Sequence, residues 1–220
     1  MNIHNISTAP HARYSAFVGS RCIASGELTL VARKAKEVYE ADQWVSVSIF
    51  DDHTGESIEV DFRGTADEVA ARAAGSNAPG ARSASPEQSP PSGPGRPRLG
   101  VIAREVTLLP RHWDWLNRQP GGASVALRKL VEEARRTNSG ADRVRQSQEA
   151  CYRFMSAAAG DLPGFEEAAR ALFAGSASRF GEVTQPWPTD IRDYARRLAQ
   201  DALDVPGRER PVCEGERPPG

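Results

Sequence analysis

The sequence predicts an α+β protein: a small ββαββα module, a flexible linker, then a strand-helix-turn-helix segment that leads into an all-helical region. Three observations predict it. Short runs with period-two apolar alternation lie before residue 63 and again near 104–109, apolar stripes at helical spacing fill the second half, and a stretch rich in Pro, Ser and Gly separates the two. The chain has 220 residues, 39% of them hydrophobic, and a net charge of −1. Its mean hydropathy of −0.52 lies toward the polar end of globular proteins. These features divide it into a module over 13–73, a disordered linker over 74–98, a second folded part over 99–204 and a disordered tail over 205–220, with the first twelve residues frayed.

Within the module, "YSAFVG" and "RCIASG" read as strands joined tightly at Gly19 and Ser20. In "LTLVARKAKEVYEAD", Leu28, Val31, Ala35 and Val38 recur at helical spacing. "WVSVSIF" and "ESIEVDF" alternate about the turn "DDHTG", with Val45, Val47 and Ile49 on one face and Ile58, Val60 and Phe62 on the matching face of the partner strand. "TADEVAARA" begins a helix with Thr65 as N-cap and Glu68 three residues on, the spacing of a capping box. The apolar positions suffice for one sheet face covered by helix.

In the second part, "REVTLLP" is a half-buried strand and Pro110 suits the first position of a helix that carries Trp113 and Leu116 on one side. Pro120, Gly121 and Gly122 turn the chain, and Ser124 caps a helix striped by Leu127, Leu130, Val131 and Ala134. Further helices follow in "DRVRQSQEACYRFMSAAAG", in "LPGFEEAARALFAG" with Leu172 and Phe173 inward, and in "WPTDIRDYARRLAQDAL" with Ile191, Tyr194, Leu198 and Ala202 inward. Cys22 and Cys151 read as small core residues. A lone strand leaves its backbone donors and acceptors unpaired, so the strand near 104–109 needs a mate from its own chain or from a second copy.

The segment from Ala103 to Arg136 resembles the ribbon-helix-helix fold of bacterial repressors and antitoxins, most of all in "SVALRKLVEEA". The resemblance implies a homodimer whose paired strands enter the major groove of double-stranded DNA, with the second helix's N-terminus on a phosphate. By position it implies Glu105 and Thr107 facing bases and Ser124, Arg104 and Arg128 near phosphate. It implies a dimer core of Val106, Leu108, Trp113, Leu116, Leu127, Leu130 and Val131. A slip of one residue would instead turn Arg104, Val106 and Leu108 outward, and both registers stay open. Arg96, Arg98, Arg104, Arg111, His112 and Arg118 form a local excess of positive charge. The wider sequence is similar to a bacterial domain-of-unknown-function family, number 2239, which shares "REVTLLPRHWDWL", "PGGASVALRKLVEEARR" and "YRFMSAAAGDLPGFEEAARALFAG" and implies the layout without an activity.

Other chemistry finds little support. His4, His11, His53 and His112 are scattered, the three cysteines form no C-x-x-C pair, and "DDHTG" reads as a hairpin turn in preference to a cation site. There is no phosphate loop, dinucleotide fingerprint or nucleophile elbow. No catalytic residue, cofactor or metal site is therefore expected, and the protein is not read as an enzyme. No apolar run reaches the roughly 20 residues that cross a bilayer, and the N-terminus lacks the pattern of a signal peptide. The expectation is a cytoplasmic regulator that binds DNA as a dimer, has no membrane contact and leaves the partner of its amino-terminal module unknown. The alternative is a protein-interaction or oligomerisation protein that binds no nucleic acid.

Overall fold

The computed structural model describes residues 13–42, 44–76 and 104–204. The first twelve residues, most of the stretch 74–98 read as a linker, with Arg96 and Arg98, and residues 205–220, with Cys213, lie outside the described residues. The chain divides into two compact units, one formed by Met1–Ala81 with Ala141–Gly220 and the other by Arg82–Gly140.

The first unit is built on an antiparallel sheet of four strands, β1 (Tyr14–Val18), β2 (Arg21–Gly26), β3 (Val47–Asp51) and β4 (Ser57–Ile58), in the order β2-β1-β3-β4. Ala16 pairs with Ala24 and Phe17 with Cys22, so Ile23 is an extra residue that bulges β2. β4 is shorter than the alternation through Phe62 predicts. Val60 and Phe62 nonetheless pack against the core beside it.

Side chains alternate across β1 and so divide the core in two. Tyr14 and Ala16 join Ile49 beneath α1 (Leu28–Ala41) and α2 (Ala66–Ser76). Phe17 joins Phe50 of β3 on the opposite face, where both meet Phe154 and Tyr194 from the later helices. The alternation predicts one covered face; both are covered. The sequence hides this because Phe17 and Phe50 stand among serines, and a face bearing only two large residues does not read as a core face. Edge-to-face contacts fix the second layer, with ring centroids 5.2 Å apart for Phe17 and Tyr194 and 5.0 Å for Phe50 and Phe154.

The capping box of α2 forms as its spacing predicts. The backbone N–H of Thr65 donates to Glu68 Oε2 at 2.8 Å, and that of Glu68 donates to Thr65 Oγ1 at 3.3 Å. These bonds hold the Glu68 carboxyl below its usual range. α2 ends at Ser76, inside the stretch assigned to the linker from 74.

After α3 (Pro110–Asn117), helix α4 runs without a break over Gly122–Ala158, where the sequence stripes predict two helices. The poor helix formers Thr137 to Gly140 include no proline, so nothing interrupts the ladder; Ser139 Oγ bonds back to the carbonyl of Arg136 at 3.1 Å. The first unit continues with α5 (Phe165–Ala174), α6 (Ala177–Val183), α7 (Thr189–Leu198) and α8 (Gln200–Leu203). Gly175 ends α5 in the left-handed region, at φ 71°, and its N–H returns to the carbonyl of Leu172. α6 has no forerunner in the sequence reading. Phe180 anchors it in the core, and Phe173, expected inward, is 53% exposed. Ile191, Tyr194, Leu198 and Ala202 are buried as their spacing predicts. Cys151 is buried and Cys22 half-buried.

Candidate functional site

Two places concentrate groups that could act on something outside the chain, and each lies within one compact unit.

In the second unit, Arg104–Leu109 has no strand or helix geometry. The strand predicted there is thus absent from the single chain. Among the described residues its backbone has no neighbouring strand to bond with, and isolated extended chain forms no ladder. Arg104, Glu105 and Thr107 are exposed. Pro110 opens α3 at its first turn, as predicted, and Leu116 is buried at 3% exposure while Trp113 is half-buried. Gly121 and Gly122, at φ 87° and 73°, carry the chain from α3 into α4 through backbone that L side chains rarely adopt.

Ser124 is the third residue of α4 and so lies within the helix, not at the cap predicted for it. Its Oγ accepts from Arg128 Nη2 at 3.0 Å. The fold therefore brings together Ser124 and Arg128 of the predicted phosphate set. Of the predicted dimer core, Leu108, Trp113 and Leu127 are half-buried, whereas Val106, Leu130 and Val131 are 54%, 49% and 57% exposed. Leu109 and Trp115 add exposed apolar surface at 49% and 50%. Residues 104–140 carry seven basic side chains against four acidic ones, a local positive balance in a chain of net charge −1.

The second place lies in the first unit, where the turn after β3 meets α4 and α7. Asp51 Oδ1 accepts from the backbone N–H groups of His53 and Thr54 at 2.8 and 3.0 Å, which makes "DDHTG" the hairpin turn its composition predicts. Gly55, at φ 67°, lies so close to α4 that a methyl group there would collide with the carbonyl of Ala150. The turn thereby aims Asp52 at α7. Asp52 Oδ1 accepts from Ser15 Oγ at 2.8 Å and from the Tyr194 hydroxyl at 2.9 Å, and Oδ2 accepts from Arg197 Nη2 at 3.0 Å. Arg197 also stacks over the Tyr194 ring, 4.6 Å from its centroid. Burial, with the Asp52 charge adding to it, pushes the Tyr194 hydroxyl well above the usual phenol range.

An open cavity of about 270 Å³ adjoins this network, lined in part by His53, Arg143, Gln146, Gln200 and Asp201. Asp52 accepts from three donors and pairs with a cation, and so anchors sheet to helix. No cluster of three His, Cys, Asp or Glu side chains suited to a metal ion occurs among the described residues. Sequence reading gave the turn at Asp52 but not its partners. Tyr194 and Arg197 follow it by more than 140 positions, and in the helical stripe Tyr194 reads simply as core.

A bacterial family described as "Uncharacterized protein conserved in bacteria (DUF2239)" matches residues 13–199, which takes in the first place and all of the second but Gln200 and Asp201. The chain belongs to this family. The match starts at the foot of β1 and ends just past α7, so the sheet, the tryptophan-bearing α3 and the helices through α7 are all part of the family's extent. Comparison with curated proteins and with solved structures returned no match. No described helix is long and apolar enough to cross a membrane.

Proposed function

We propose that residues 104–136 are an assembly module, that two copies of the chain complete one another through it, and that the dimer binds double-stranded DNA as a transcription-regulator-like protein of the cytoplasm. The observation that carries this reading is the exposure of Val106, Leu109, Trp115, Leu130 and Val131, each about half or more open to solvent. Full burial of one such aliphatic side chain contributes ~1.5–3 kcal/mol, so the four that are half exposed, with Trp115, hold several kcal/mol in reserve for a partner. Arg104–Leu109, which carries two of them, has no strand partner among the described residues, and pairing with its copy would supply the missing ladder. The basic excess of 104–140 and the Ser124–Arg128 contact at the start of α4 support a phosphate backbone as the ligand.

A second reading, assembly without nucleic acid, is favoured by one residue. Glu105 occupies an outward position where a groove-reading strand more often carries a basic or amide side chain, and its charge opposes phosphate.

The test is duplex binding measured against salt, on protein of known mass. A DNA-binding dimer loses affinity steeply as salt rises, and Arg104→Ala or Arg128→Ala each lowers the slope of log K against log salt by about 1. A dimer with no affinity for duplex at low salt selects the second reading. A chain that stays monomeric overturns both.

A further inference from the structure

We propose that the cavity beside Asp52 is a binding site for a small zwitterion, a free α-amino acid or a close relative that carries one carboxylate and one ammonium group. It lies within the first unit and is independent of the assembly reading.

Its walls are fixed by bonds that need no ligand. Ser147 is buried on α4; its Oγ donates to the carbonyl of Leu198 at 2.6 Å and accepts from the N–H of Ala202 at 3.1 Å, clamping α4 to the junction of α7 and α8. Gly55 rests on Ala150 one turn further along α4, and the Asp52–Arg197 pair ties the turn to α7. The opening between these three ties is preformed, which spares a ligand the cost of ordering its site.

Five of the ten residues that line it have side chains left unspent. Among the described residues, the side chains of His53, Arg143, Gln146, Gln200 and Asp201 have no hydrogen-bond or ion-pair partner. Arg143 stands apart in this. Arg145, Arg153, Arg170, Arg179, Arg192, Arg196 and Arg197, the other arginines of 141–204, each hold a carboxylate or a carbonyl.

The charges select the class of ligand. Asp52 and Arg197 neutralise one another, which leaves Arg143 and Asp201 as the free cation and the free anion of the lining. A simple anion would meet the repulsion of Asp201, and a simple cation that of Arg143. A molecule with both charges satisfies both walls. Gln146 and Gln200 can donate and accept, and Ala150 and Leu198 offer a small apolar surface to a short side chain. At about 270 Å³ the cavity is just below the span typical of sites for drug-sized ligands.

The test is calorimetric titration of the full chain with each free L-amino acid, with acetate and methylammonium as half-ligands at matched ionic strength. At least one amino acid should bind saturably with a Kd of about 1 mM or below, with each half-ligand about tenfold weaker or more. Arg143→Ala and Asp201→Asn, both at exposed positions, should each weaken that binding by about tenfold and leave the thermal midpoint unchanged. The proposal fails if no amino acid binds at up to about 10 mM. Acetate or methylammonium binding as tightly as the best amino acid, or full affinity in either variant, likewise overturns it.

Discussion

β1 and the first half of α4 use the same apolar vocabulary to opposite ends. On β1, Tyr14, Ala16 and Phe17 are each at most 2% exposed, because helices cover both faces of the sheet. On α4, Leu130 and Val131 stand about half in water, and residues 128–141 are exposed throughout. A strand buried on both faces has spent its hydrophobic surface on its own fold. A helix that leaves leucine and valine half in water has apolar surface its own fold does not use. The contrast separates residues that make the chain stable from residues that the proposed assembly would use, and each class should respond differently to substitution.

The largest effect on stability should come from the layer between sheet and helices. Phe154 is fully buried and touches Phe17, Phe50 and Tyr194, so Phe154→Ala should cost about 3–5 kcal/mol of unfolding free energy in a denaturant titration. An equal change at Leu130 that cost as much would erase the contrast, since that side chain has far less burial to lose.

Asp52→Ala should follow. It strips an acceptor from Ser15, Tyr194 and Arg197 at once, and the side chain it removes is only 13% exposed. A loss of about 2 kcal/mol is expected, most of it from the buried donors left unsatisfied. Tyr194→Phe, which deletes one donor and keeps the ring packing, should cost less than Asp52→Ala.

A smaller effect is set by pH. Burial pushes the Cys151 thiol from its ordinary value of 9.0 up to about 12. The folded state favours the neutral thiol, so its contribution is complete below the ordinary value and declines as pH rises from 9.0 toward about 12, where the unfolded chain ionises first. Cys151→Ala should flatten that part of the stability curve, and in the native protein Cys151 should resist thiol reagents until the chain unfolds.

The sequence made local structure readable and left the distant pairings hidden. The capping box at Thr65, the turn at Asp51, Pro110 at the head of α3 and the inner stripe of α7 each rest on residues a few positions apart, where spacing alone sets geometry. The second covered face of the sheet depends on Phe17 and Phe50 finding Phe154 and Tyr194, more than 100 positions away, and no periodicity within β1 or β3 encodes that. α6 escaped for a related reason, since its seven residues bury only Phe180 and so show no stripe. The strand expected at 104–109 shows the reverse limit. Alternation in "REVTLLP" states a preference for extended chain, but a strand also needs a mate, and the described residues offer that segment none. The Asp52 cavity was half legible, through its turn, while Arg143, Arg197 and Asp201 joined it only through the fold.

The most direct test is sedimentation equilibrium of the whole chain and of Val106→Asp. In the single chain Val106 is 54% exposed, so a carboxylate there leaves the monomer folded, whereas in a paired ribbon it buries a charge without a partner. The account predicts a dimer for the unaltered protein and a folded monomer, with unchanged circular dichroism, for the variant. A monomer in both, or a dimer that Val106→Asp does not weaken, would contradict it.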